Sequence, residues 1–170
     1  MDQAVLVDPD VDKGAEGGHI GDHALQLHAR LKIRQLLDAF AQAHPDRVFD
    51  VGSGVVATFR RLTISNGNIT GGDGGGIRNR GTIALLQQSA VVANQASGAG
   101  GGIYSWSSSL WLQQSSVEEN HAGGAGGGVH LTGAGSVLTI EESAVVGNTS
   151  GIYGGGIGMT NTNGVIRNST

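Results

Sequence analysis

Apolar residues in the second half of this chain alternate with polar ones over short stretches, as in Leu110-Trp111-Leu112 and Val137-Leu138-Thr139-Ile140. Such alternation predicts strands with one face buried. No segment between residues 59 and 170 keeps helical spacing, and 25 of those 112 residues are glycine. Leucine-rich, ankyrin and helical-pair repeats are thereby excluded. The stretches are punctuated by Gly74-Gly75-Gly76-Ile77, Gly100-Gly101-Gly102-Ile103, Gly126-Gly127-Gly128-Val129 and Gly154-Gly155-Gly156-Ile157, at spacings of 26, 26 and 28 residues. A period between about 20 and 50 residues marks a solenoid or propeller, whose units bury their apolar faces only by stacking on neighbours.

A second column fixes the register. Asn94, Asn120 and Asn148 each stand nine residues before the final aliphatic of the next tetrad, and Asn68 keeps that offset, although its spacing from Phe59, Leu62 and Ile64 slips by one. Two or three strands of about five residues plus bends fill such a period, and parallel neighbours stack about 4.8 Å apart. The predicted fold is an all-β solenoid, a right-handed single-stranded parallel β-helix of about four turns over residues 51–170. Ile77, Ile103, Val129 and Ile157 then form one internal stack, and Leu86, Leu112, Ile140 and Ile166 another. The glycines suit a bend with positive φ or a close backbone approach. The Asn column suits left-handed positions bonded into an amide ladder. A propeller needs longer units of four antiparallel strands. The chain ends at Ile166-Arg167-Asn168-Ser169-Thr170, in the middle of the pattern, and so reads as a fragment truncated in its last turn.

Residues 1–50 form a separate segment. Asp22 can cap a helix carrying Leu25, Leu27, Leu31, Ile33, Leu36, Leu37 and Phe40 until Pro45 stops it, predicting an N-terminal α-helix over about residues 22–43. Laid across the first turn, it would cover apolar core and unpaired strand edges. A poorly docked or disordered segment is the competing expectation. Met1-Asp2-Gln3 has no basic region and Ala4 to Val7 is too short an apolar run for a secretion signal.

Gly100-Gly101-Gly102-Ile103 and Val117-Glu118-Glu119-Asn120, repeated as Val91-Val92-Ala93-Asn94 and Val145-Val146-Gly147-Asn148, resemble the repeats of bacterial polymorphic outer membrane proteins and related right-handed β-helix surface proteins. The resemblance covers residues 59–170. It implies a cell-surface, outer-membrane or extracellular location and a structural or adhesive role. Many members end in a membrane β-barrel, whose strands this chain does not show.

Charge narrows the partners. Residues 59–170 hold five acidic and five basic side chains with no Lys/Arg stripe, giving no electrostatic case for nucleic acid, and no apolar run is long enough to span a membrane. Without cysteine there is no disulfide framework. Asp8, Asp10 and Asp12 have the opening spacing of a calcium loop, but Lys13 and His19 replace its glycine and its glutamate. His19, His23 and His28 lack convergent zinc spacing. No metal site, cofactor or catalytic set is therefore predicted. Glu118, Glu119, Glu141 and Glu142 are the candidates for an alternative, an enzyme acting on acidic polysaccharide as pectin-degrading β-helices do. Stacking sets Glu141 beside Gln113 and Glu118 beside Val92 and Val146, so these carboxylates do not converge. Tyr104, Trp106, Trp111 and His130 are expected to point outward as a carbohydrate-binding set for a polysaccharide or host glycan, against the plainer expectation that the tryptophans cover a corner between strands. An open final turn predicts self-association through strand pairing. An inactive piece of a longer surface protein is the third reading.

Overall fold

The computed structural model describes residues 47–81 and 83–170. The predicted helix over residues 22–43, the aspartate set at 8–12 and the histidine set at 19–28 lie outside them. The described strands belong to the compact unit Pro45–Thr170, and every strand pair is parallel.

Four sheets run along the coil, and the chain visits them in turn. The first sheet stacks Phe49–Val51, Ile77–Asn79, Ile103–Trp106, Val129–Thr132 and Ile157–Thr160. The second stacks Val56–Arg60, Ile83–Gln87, Ser109–Gln113, Val137–Glu141 and Asn163–Arg167. Thr63–Ser65, Ala90–Val92, Ser116–Glu118 and Ala144–Val146 make the third, and Asn68–Ile69, Gln95–Ala96, His121–Ala122 and Thr149–Ser150 the fourth. Each complete turn thus carries four strands where two or three were expected. The third and fourth are only three and two residues long, too short to show as alternation in sequence.

Both predicted stacks line the interior. Phe49, Ile77, Ile103, Val129 and Ile157 are in register, as are Phe59, Leu86, Leu112, Ile140 and Ile166. Alternation decides the faces: Leu110 and Leu112 are 1% and 0% exposed, whereas Trp111 between them is 42% exposed. Each fully buried aliphatic contributes about 1.5–3 kcal/mol. Ile166 lies on the edge strand of its sheet and is 57% exposed.

Polar residues enter the interior because of the corners. Gln88, Gln114 and Glu142 have φ near +50°, as do Ala93 and Glu119 one corner later, with Gly147 at +65°. A left-handed residue lengthens the inward step from two positions to three. Inward residues therefore run Leu112, Ser115, Val117, Asn120, Ala122, all buried. Left-handed geometry thus belongs to the residue before each Asn, correcting the expectation that the Asn column itself occupies that region. The predicted ladder is present: Asn94 Nδ2 donates to Asn120 Oδ1 at 3.0 Å and Asn120 Nδ2 to Asn148 Oδ1 at 2.9 Å. A serine ladder runs beside it, the Ser89 N–H donating to Ser115 Oγ at 3.2 Å and the Ser115 N–H to Ser143 Oγ at 3.0 Å. Both ladders satisfy backbone groups that the corners remove from the strand ladders.

Asn68 stands outside this ladder. It pairs with Gln95 and is exposed, while the Gly67 N–H donates to Asn94 Oδ1 at 2.9 Å. Eight positions separate Ile69 from Ile77 but seven separate Ala96 from Ile103, and counting back across that longer corner displaces the column by one.

The glycine tetrads divide their labour. Gly74, Gly100, Gly126 and Gly154 have φ between 65° and 70°. The next glycine is excluded from bearing a side chain by contact: a Cβ on Gly101 would lie 2.6 Å from the Gly127 carbonyl oxygen and closer still to that of His121. The spacing of 28 has a local origin. Two extra residues are absorbed at the corner between Thr132 and Val137, where Gly133 and Gly135 have φ of 103° and 80° and the Ser136 N–H closes a turn on the Gly133 carbonyl at 3.2 Å.

Candidate functional site

The outer face of the first sheet gathers most of the predicted aromatic set. Its strands place Arg78, Tyr104, His130 and Gly158 in one outward column, and Trp106 and Thr132 in the column beside it. Trp106 is 53% exposed. Trp111 is separated from this face by the left-handed corner at Ser107 and stands on the outer face of the second sheet, between Leu85 and Thr139. The predicted set is thus divided, with Tyr104 and Trp106 on one surface and Trp111 on another.

His130 corrects the expectation that all four side chains point into solvent. It is 7% exposed. Its ring lies between Tyr104 and Tyr153, at centroid distances of 5.8 and 6.3 Å, and the glycine corner folds over it, so close that a Cβ on Gly126 would sit 2.8 Å from the His130 Cβ. Neither ring nitrogen has a hydrogen-bond partner among the described residues. Burial pushes the imidazole pKa below its ordinary value, and the nearby Asp73 carboxylate opposes that shift. The fold holds the neutral ring. Its contribution to stability is complete above the unfolded imidazole pKa near 6.5 and is lost as pH falls through the depressed folded value. Melting temperature is therefore expected to drop on acidification from about pH 7 to 5, and His130→Phe to flatten that drop, as calorimetry across the range can check.

Below Tyr104 the same face becomes charged. Arg78 donates to Asp50 through Nε at 3.1 Å and through Nη2, while Arg80 and Arg47 each approach the same carboxylate at 3.5 Å. Burial alone would raise the Asp50 pKa, but the hydrogen bond and charge of Arg78, with Arg47 and Arg80, hold it below the usual carboxylate value. Arg47 turns inward, donating to the carbonyls of Asp73 and Gly74 at 2.6 and 3.0 Å. Asp73 in turn accepts the Ala99 N–H at 2.7 Å. Sequence reading missed Arg78 and Arg80 as site residues, because five basic side chains dispersed over the repeats show no stripe. Their signal was the repeat itself: each lies 26 residues before an aromatic, Tyr104 or Trp106.

The glutamates are dispersed. Glu118 pairs in register with Val92 and Val146, and Glu119 occupies the following left-handed corner. Glu141 accepts from Arg167 at 3.0 Å and Glu142 from Gln114 at 2.9 Å, before the strand whose far end carries Glu118 in the neighbouring turn. A shallow groove of about 890 Å³ follows the corner of Arg61, Gln88, Gln114, Glu142 and Asn168; the side chains from Arg61 to Glu142 bond along the coil, and the lining includes no aromatic. Among the described residues no group of three or more His, Cys, Asp or Glu could hold a metal, and no helix is long and apolar enough to cross a membrane.

These features define a parallel β-solenoid with an aromatic and cationic sheet face. Comparison with protein-family models, with curated proteins and with solved structures finds no match.

Proposed function

We propose that this chain is the solenoid of a bacterial cell-surface or secreted protein of the polymorphic outer membrane type, a non-catalytic adhesive scaffold that binds carbohydrate on the outer face of its first sheet. One observation carries the reading: Tyr104 and Trp106 share a flat face, with Trp106 53% exposed on a strand fixed by neighbours on both sides. Flat rings on a rigid sheet stack on sugar faces with little ordering cost. Enzymatic action on a polysaccharide is the weaker reading, since the four glutamates stand at two corners and two of them are already engaged by Arg167 and Gln114. Self-association by strand pairing at the edge strand Asn163–Arg167 belongs to the same proposal.

The test is a glycan array probed with the wild type and with Trp106→Ala and Trp111→Ala as separate variants, each first shown to be folded. Binding is expected to weaken about tenfold or more for Trp106→Ala and to persist for Trp111→Ala, which lies around the corner. An array on which the wild type binds no saccharide overturns the reading.

A further inference from the structure

The guanidiniums beside the aromatic pair indicate what kind of sugar the face accepts. Arg47, Arg78 and Arg80 surround a single carboxylate, Asp50. Arg78 occupies it with two contacts, and Arg47 is only 11% exposed, its donors spent largely on backbone carbonyls. Among the described residues Arg80 keeps only the 3.5 Å approach to an oxygen that Arg78 already holds, and its side chain is 44% exposed. Its fork is therefore available to a ligand. Arg78 pairs in register with Tyr104, and Arg80 follows Asn79, the register partner of Ser105, so it stands one turn below Trp106. Successive turns are about 4.8 Å apart, which puts a guanidinium within reach of an acidic substituent on a ring stacked over the aromatics. A planar guanidinium matches a carboxylate bidentately, and the low-dielectric flank of a partly buried cluster preserves the attraction better than open solvent does.

We propose that this face binds an acidic saccharide, a uronic acid chain whose rings lie over Tyr104 and Trp106 and whose carboxylate sits on Arg80. This rests on the carbohydrate-binding reading above. Arg78, held by Asp50, supplies charge and orientation and keeps its own partner.

Titration calorimetry at low salt with oligogalacturonate and with its methyl ester separates the two ideas, because esterification removes the charge while keeping ring and linkage. The acid form is expected to bind at least about tenfold more tightly, and added salt to narrow the difference. Arg80→Gln, at an exposed position whose variant is first shown to melt like the wild type, is expected to bring the acid down to the affinity of the ester. Trp106→Ala should weaken both. Equal binding of acid and ester by the wild type overturns the acidic preference and leaves carbohydrate binding standing. Persistence of the full difference in Arg80→Gln overturns the assignment to Arg80. Failure of both oligomers, and of every other glycan on the array, to bind overturns both readings.

Discussion

Gly101→Ala is expected to lower the stability of the solenoid by about 3 kcal/mol or more, the upper range for overpacking a well-packed interior. Its added Cβ would lie 2.6 Å from the Gly127 carbonyl oxygen in the next turn and nearer still to that of His121 at the neighbouring corner. Both obstacles are backbone, so no rotamer relieves them. Gly101 N–H also donates to the Gly126 carbonyl at 3.3 Å, tying the same corner to the turn it would push away. Gly52→Ala is the control, since among the described residues nothing lies within 4 Å of a Cβ there and its φ is not in the left-handed range. Urea unfolding should show a large fall in midpoint for the first variant and almost none for the second. A midpoint for Gly101→Ala that matches or exceeds that of the wild type would mean that the lowered entropy of the unfolded chain, and not crowding between turns, governs this position.

Asn120→Ala is expected to cost about 2–3 kcal/mol, because a buried amide that serves three turns cannot be removed without stranding its partners. Asn120 Oδ1 accepts from the Asn94 N–H at 2.9 Å and from Asn94 Nδ2 at 3.0 Å, while its Nδ2 donates to the Val91 carbonyl and to Asn148 Oδ1, each at 2.9 Å. The substitution leaves the Asn94 N–H without its acceptor in a position 1% exposed. Asn120→Asp is the sharper probe. It keeps the acceptor but turns an anionic oxygen toward two others, so its deficit relative to wild type should be larger at neutral pH and shrink in acid, where protonation returns one donor. Chemical unfolding at both pH values checks this, and a deficit independent of pH would rule out the inward, ladder-bonded placement of residue 120.

The columns were legible in sequence because parallel stacking converts a constant offset into a contact. Ile77, Ile103 and Val129 could be set inside from their spacing alone, and the amide ladder followed from Asn94, Asn120 and Asn148. What the offset hid was local. The longer corner after Ile69 displaced the count at Asn68, and strands of two or three residues carry too little alternation to be recognised. The left-handed residues are chemically mixed: Gln88, Ala93 and Glu119 share a backbone state but no composition, so nothing in their identities announces it. Exposure was readable for Trp106 and Trp111, whose neighbours alternate cleanly. His130 was not, because a neighbouring corner covers it, and alternation reports only which face of a sheet a side chain takes. Arg78 and Arg80 were visible at the right offset, but their meaning depended on Asp50, which lies in the turn before.

The corner at Gly133 to Gly135 absorbs two additional residues while Leu110 and Leu138, on its far side, remain paired in register. Loop length and coil geometry are thereby uncoupled. Such a fold behaves like a pegboard: segments of different size can be inserted at the bends, at nearly logarithmic entropic cost, while their points of attachment stay on a fixed lattice. Foreign peptides introduced between Thr132 and Ser136 would be presented at a defined height along the axis, and those placed at the equivalent bend of another turn at a defined distance from the first. Spacing would then be chosen by counting turns.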